Sequence, residues 1–290
     1  MGLGSRIRNG ARRHLGDGLN QDDTYLSYWD VTLLRVDVDS IKEDDWLTDN
    51  AIAFWQEYLE REELIAFPKA SIVLLRPSMS TMLMHTPDPV TLKEVLPNFS
   101  TTTHIFLPIN DNNDVEAEDG GSHWSLLLVS IIDGVAFHYD SMDHHNNAEA
   151  QATTIKLERL LGRRLKYIAM SGSPQQDNSI DCGVFVCIAM RHLLLKRLLR
   201  ADASKKISMS MSDAQIQAKE GRKTMLRVIE DKRREGLRRN VADHLILDQS
   251  PRNRRVHRAS APRTRSSRRI EGTTYPPHAT KKPISFQGTT

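Results

Sequence analysis

Apolar and polar positions along the chain change period several times, and each change marks an element. From Tyr25 an apolar lead-in of Tyr28, Trp29, Val31, Leu33, Leu34 and Val36 begins. Ala51, Ile52, Phe54, Trp55, Tyr58 and Leu59 then recur at helical spacing behind Thr48 and Asp49, either of which can cap a helix. Trp46 precedes the cap, so its indole is free to face something else. Residues 72–75, stopped by Pro77, and residues 104–109 read as buried strands. Between them residues 86–97 carry three prolines and room for one short helical turn.

Two β-rich runs follow on either side of Asp133-Gly134, a strong hairpin signal. His123 stands at the start of the first run and Asp140 at the end of the second. A tight turn centred on Asp133-Gly134 makes paired positions sum to 267, which sets Asp140 opposite Leu127. His123 then lies on the same face but roughly 13 Å away along the strand. A His–Asp contact therefore requires a bulge, or a turn centred nearer Ile131 and Ile132. Residues 148–161 read as an amphipathic helix ended by Gly162, and residues 165–170 as a strand. An apolar run from Cys182 predicts a helix reaching about Leu199, with Asp181 as its cap. Ser212 and Gln215 have capping-box spacing for a last charged helix running to about Arg239. No internal repeat is present.

The formal charge of +3 on 290 residues conceals an asymmetry. Residues 251–290 hold ten Arg or Lys against one acid, leaving residues 1–250 with 30 basic and 36 acidic groups. That Pro-, Ser-, Thr- and Arg-rich stretch is too poor in apolar residues to form a core. It reads equally as a nuclear-import or nucleic-acid-touching segment and as a solvated extension. The expected organisation is a disordered extension over 1–24, one domain over 25–242 and a disordered basic tail over 243–290. Two cysteines five residues apart on one helix cannot form a disulfide framework, which points to a reducing compartment, cytoplasm or nucleus. No run approaches the ~18 apolar residues of a membrane span. His144 and His145 lack an acidic or cysteine partner at ligand spacing, so they read as a solvated loop and no metal is expected.

Cys182 begins its helix, where unpaired N–H groups and the positive end of the helix dipole favour a thiolate. Most lone cysteines in such a place are simply packed, and Cys187, inside the apolar run, takes that reading. Cys182 differs because the chain also supplies His123 as base and Asp140 as a carboxylate to orient the imidazole. Gln176, six residues upstream, can offer an amide to an oxyanion beside the Cys182 N–H.

The segments W-L-T-D-N-A-I-A-F, F-L-P-I-N-D-N, G-G-S-H-W-S-L-L, F-H-Y-D-S and P-Q-Q-D-N-S-I-D-C-G resemble the Ulp and sentrin-specific cysteine protease family, most closely its deneddylase branch. The resemblance spans roughly residues 25–239. It implies an α+β, papain-like fold with a central mixed or antiparallel sheet and the nucleophile at a helix N-terminus. It further implies His123 as base, Asp140 as its orienter, Cys182 as nucleophile and Gln176 as oxyanion donor, with no cofactor. Trp46 and Trp124 correspond to the pair that forms a narrow channel over the substrate's Gly-Gly end, and Asp49 to a modifier contact. Two indole planes set close together pass only residues without a Cβ. Thr48 replaces the family's usual Asn, and Ile180 stands where an aromatic is common.

The expected activity is thiol-dependent cleavage after the terminal Gly-Gly of a ubiquitin-like modifier of the Nedd/Rub type, by a monomer whose partners are that modifier and its protein conjugates. The alternatives are the same chemistry on SUMO or ubiquitin, an inactive modifier-binding module, and an acyltransferase using the same triad.

Overall fold

In a computed structural model the described residues are 18–42, 45–112, 120–200 and 207–248. Most of the N-terminal extension, part of the acidic loop after Asn112 and the basic tail from residue 249 onward lie outside them; residues 243–248, expected to open the disordered tail, belong instead to the last helix. The chain divides into two units after Asn240, and every candidate site residue lies in the first.

Five strands form one mixed sheet: β3 (Ile72–Leu74), β4 (His104–Asn110), β5 (Trp124–Ser130), β6 (Val135–Tyr139) and β7 (Lys166–Ala169), in that order. The outer pairs β3/β4 and β6/β7 are parallel, whereas β4/β5 and β5/β6 are antiparallel. Helices cover both faces, which is why β4 and β5 read as nearly unbroken apolar runs rather than half-polar ones. The two-residue period of the strands sorts their side chains cleanly. Ile105, Leu107, Ile109, Leu127 and Val129 face a core with α3 (Pro77–His85) and α4 (Asn147–Leu161). Phe106, Leu126, Leu128 and Tyr139 face the opposite core, shared with α2 (Asp49–Tyr58) and α5 (Cys182–His192). The Trp55 indole donates to the Cys187 carbonyl at 2.9 Å, fixing α2 to α5 through the centre of that core.

Several elements follow the sequence pattern closely. Thr48 caps α2, its hydroxyl accepting from the Ala51 N–H at 3.2 Å. Gly162 ends α4 at φ +66°, a left-handed conformation that favours glycine. The proline-rich stretch holds one helical turn, Pro89–Glu94. The apolar helix beginning at Cys182 continues through a wider π-helical turn, Leu193–Leu199.

Other expectations are corrected. The apolar lead-in is a separate hairpin, β1 (Thr24–Tyr28) with β2 (Val31–Leu34), followed by α1 (Arg35–Lys42). Its turn is carried by Trp29 at φ +50° rather than by a glycine or asparagine, so no turn signal marks it. Pro77 does more than stop a strand: it occupies the first turn of α3, where a missing N–H costs nothing. The Ser212–Gln215 capping box does not form, because Ser212 sits in a turn beside Gly172 and the final helix, α6 (Ala218–Asp248), starts six residues later. Among the described residues no helix is long and apolar enough to cross a membrane.

Candidate active site

The hairpin register decides whether His123 and Asp140 can meet. Leu126 pairs with Tyr139 and Ser130 with Val135, so partners sum to 265 rather than 267. Residues 131–134 form a four-residue loop, braced by the Ser130 hydroxyl on the Asp133 carboxylate at 2.5 Å, with Gly134 at φ +66°. This one-residue recentring brings Asp140 level with Ser125, only two positions from His123 and on the same face. The His123 Nε2 to Asp140 Oδ1 distance is 2.6 Å. The contact needs no bulge.

Asp140 follows directly on β6, and its carboxylate is satisfied on every side. Oδ1 also accepts the Met142 N–H at 3.0 Å, and Oδ2 the Asn146 N–H at 2.9 Å. Burial works to raise its pKa, but the hydrogen bonds from His123, Asn146 and Met142 outweigh it and hold the group below the usual carboxylate range. His123 precedes β5 and is 2% exposed. Burial pulls its pKa down, yet the bonds to Asp140 and to Cys182 push it up to about 9. The imidazole therefore hydrogen-bonds to the Asp140 carboxylate and feels the Cys182 sulfur nearby. With Nε2 committed to Asp140, Nδ1 is the nitrogen left for Cys182.

Cys182 is the first residue of α5 and is 1% exposed. Asp181 occupies the expected cap position but makes no cap bond, which corrects that expectation. Its carboxylate is taken instead by Arg222 at 2.7 Å and by the Asn178 amide at 2.8 Å. Among the described residues no acceptor meets the N–H groups of Cys182, Gly183 and Val184, so the helix presents open donors at the sulfur. A Cβ on Gly183 would stand 2.9 Å from the Leu47 Cβ. Gly183→Ala is expected to cost ~1–3 kcal/mol through overpacking, read as a lower denaturant midpoint with an unchanged slope.

Gln176 lies between β7 and α5, tied to the segment after β6. Its N–H donates to the Ser141 carbonyl at 2.9 Å, its Oε1 accepts the Ser141 hydroxyl at 2.6 Å, and its Nε2 donates to the Asn178 carbonyl at 2.6 Å. One amide hydrogen remains uncommitted. Gln175 is more than an inert neighbour: its amide donates to the Asp140 carbonyl at 2.9 Å and its Oε1 accepts the Asp143 N–H at 2.8 Å.

The remaining sequence candidates lie on three different segments. Trp124, the first residue of β5, is half-buried and lines a small, largely apolar cleft with Asp140, Ser141 and Pro174. Trp46 is 44% exposed, and its indole donates to the Ser179 carbonyl at 2.8 Å, three residues before Cys182. Among the described residues the two indoles make no ring contact with each other. Asp49 is exposed at the start of α2.

Three supporting residues escaped the sequence reading. Asn146, fully buried, donates through Nδ2 to the carbonyls of His123 at 3.1 Å and Ile109 at 3.2 Å. Asp111 accepts the His123 N–H at 2.9 Å. His145 is exposed, as expected of a solvated loop, yet it stands edge-on to the His123 ring at 5.2 Å between centroids, with Nε2 3.4 Å from Asp111. The adjacent His and Asn pairs were the visible signal, but nothing in their spacing points to His123. Among the described residues no cluster of three His, Cys, Asp or Glu could hold a metal.

Three comparisons bear on this geometry. A family model described as the Ulp1 protease family, C-terminal catalytic domain, matches residues 45–225. NEDD8-specific protease 2 of Schizosaccharomyces pombe is 36% identical over 209 residues, covering 71% of this chain and 50% of that protein. Sentrin-specific protease 8 of Homo sapiens is 33% identical over 171 residues, 57% of this chain and 78% of that one. The chain thus spans about half the length of the Schizosaccharomyces pombe relative. The C-terminal Ulp1 protease domain solved in complex with Smt3, the yeast ortholog of SUMO, superimposes with a TM-score of 0.54 at 18% identity, covering 74% of this chain and 90% of that one. The α+β fold with a mixed central sheet is that of Ulp1-type cysteine protease domains.

Proposed function

Because the chain belongs to the Ulp1 protease family, we propose that it is a thiol isopeptidase that cleaves after the terminal glycine of a ubiquitin-like modifier of the Nedd/Rub type. The observation that carries the chemistry is the buried group of Cys182, His123 and Asp140, with His123 hydrogen-bonded to Asp140 and its proton affinity raised in part by Cys182. The choice of modifier rests on the relatives named as NEDD8-specific proteases.

With its pKa near 9, His123 is protonated at neutral pH, the form in which an imidazolium favours the thiolate of a neighbouring cysteine. The sulfur attacks the carbonyl carbon of the modifier's last glycine. Negative charge collects on the carbonyl oxygen, where the open N–H groups of α5 and the spare Gln176 amide hydrogen can meet it. Collapse breaks the C–N bond, and the leaving amine takes the proton from His123. Water then adds to the thioester as His123 accepts its proton, and the carboxylate leaves as the thiolate is restored. Asp140 stays ionised throughout and fixes the ring's tautomer. A nucleophile only 1% exposed admits a thin, extended chain end, which suits a Gly-Gly terminus between the Trp46 and Trp124 sides.

Gln176 carries its own test. An oxyanion donor matters mainly in the transition state, so Gln176→Ala is expected to lower kcat by ~10²-fold with little change in modifier affinity. Steady-state kinetics beside a binding isotherm separates the two quantities. Weakened binding with an unchanged kcat would remove Gln176 from the oxyanion site. Gln175→Ala breaks bonds to the loop after Asp140, so it should show first as lost thermal stability.

A further inference from the structure

Arg222 on α6 is 6% exposed, far from solvent for so long a cation. Its guanidinium is shared between two separate segments. On one side Nε and Nη2 donate to Asp181 Oδ1 at 2.9 and 2.7 Å, with the Ile180 carbonyl at 3.4 Å. On the other side Nη2 reaches the Asp45 carbonyl and Nη1 the Ser40 carbonyl, each at 2.7 Å. The first segment ends in Cys182 and the second in Trp46.

The same two segments meet a second time where the Trp46 indole donates to the Ser179 carbonyl. The wall that carries Trp46 is therefore tied to the nucleophile's segment twice, through an exposed indole and through a buried guanidinium. The planar fork suits this task, since its donors point in fixed directions that an ammonium cannot reproduce. α6 can bring Arg222 so close because Gly221 lies against α5: a Cβ there would stand 2.3 Å from Ile188 Cδ1 and 2.8 Å from Val184 Cγ1.

We infer that Arg222 is a positioning residue that sets the gap between Trp46 and Cys182, and so governs how a glycine-ended chain is seated for attack. It touches neither the substrate nor the reacting atoms. This role rests on the isopeptidase reading and deepens it. The Cys182–His123–Asp140 series does not pass through Arg222, so losing the clamp should spare the reactivity of the thiol and impair only the seating of an extended substrate.

Two rates on the full chain separate these effects. One is Cys182 capture by a Nedd/Rub-type modifier carrying an electrophile at its terminal glycine, and the other is Cys182 alkylation by iodoacetamide. Arg222→Lys keeps a charge beside Asp181 but cannot also hold the Asp45 and Ser40 carbonyls. Capture is expected to fall ~10-fold or more, in line with the sensitivity of attack to small misplacements, while alkylation and its pH profile stay unchanged. In Arg222→Ala, added guanidinium ion should restore capture. The fully buried Cys187 reports on folding in the same samples, since it alkylates only when the core opens. Equal loss of both rates with no guanidinium rescue would make Arg222 a fold residue and overturn the inference, as would unchanged capture. A wild-type chain that alkylates at Cys182 yet ignores the modifier probe would overturn the isopeptidase reading, and the clamp with it.

Discussion

Cys182→Ala is expected to abolish hydrolysis while leaving modifier binding intact. The substitution removes the one atom that forms the thioester. It adds no bulk at a position 1% exposed, so the walls that would hold the modifier keep their places. His123 loses its sulfur partner but retains Asp140 at 2.6 Å. Cys187→Ala is the internal control. Burial pushes that thiol's pKa far above its ordinary value, and its surroundings are the apolar side chains of α5 and α2. Its loss should cost ~1 kcal/mol of stability and leave turnover unchanged. A turnover assay with a binding isotherm on both variants checks the pair. Residual turnover in Cys182→Ala at the wild-type rate would end the thiol mechanism.

The second large effect belongs to Asp140. In Asp140→Asn the shape survives but the hydrogen bonds cannot all be kept. If the new amide nitrogen faces the Asn146 N–H, two donors oppose each other. If it faces His123 instead, Nε2 must accept, and the ring's proton moves to the nitrogen beside Cys182 in the wrong tautomer. Either outcome should lower kcat by ~10³-fold or more. The pH profile carries a sharper signature. His123 has its pKa raised from 6.5 to about 9, so the stabilisation it gains on folding is complete below about 6.5 and lost as pH rises through about 9. Activity that depends on imidazolium beside thiolate should fall over that same alkaline limb. With the carboxylate gone, burial acts less opposed, and the limb should move to lower pH. A profile for Asp140→Asn that still breaks near 9 would show that Asp140 does not set the proton affinity of His123.

The two halves of the site were unequally legible in the chain. The nucleophile was plain because its signal is local: a polar turn, an Asp and an apolar helical run place a sulfur in a first helical turn whatever the rest of the fold does. Thr48 and Gly162 were legible for the same reason, since caps are read from neighbours. The His123–Asp140 contact was not, because Asp133-Gly134 favours a two-residue turn, whereas the native loop spans four residues and lets Ser130 brace Asp133. Recentring by one residue moves paired positions by two, the difference between a contact and a gap of roughly 13 Å. Asn146, Gln175 and Arg222 were illegible for another reason. Their partners are mostly backbone carbonyls and N–H groups of distant segments, which no pattern of side chains records. Even Asp181, correctly placed as the residue before the helix, was expected to bond to its own helix and instead holds an arginine 41 positions away.

The central claim is tested most directly by intact-mass and peptide mapping of the chain after reaction with a panel of electrophilic modifiers, one each of the Nedd/Rub, SUMO and ubiquitin types, all ending in Gly-Gly. The prediction is a single covalent adduct on Cys182, formed fastest with the Nedd/Rub probe and absent from Cys182→Ala. An adduct on Cys187, no adduct at all, or faster capture of the SUMO or ubiquitin probe would contradict it.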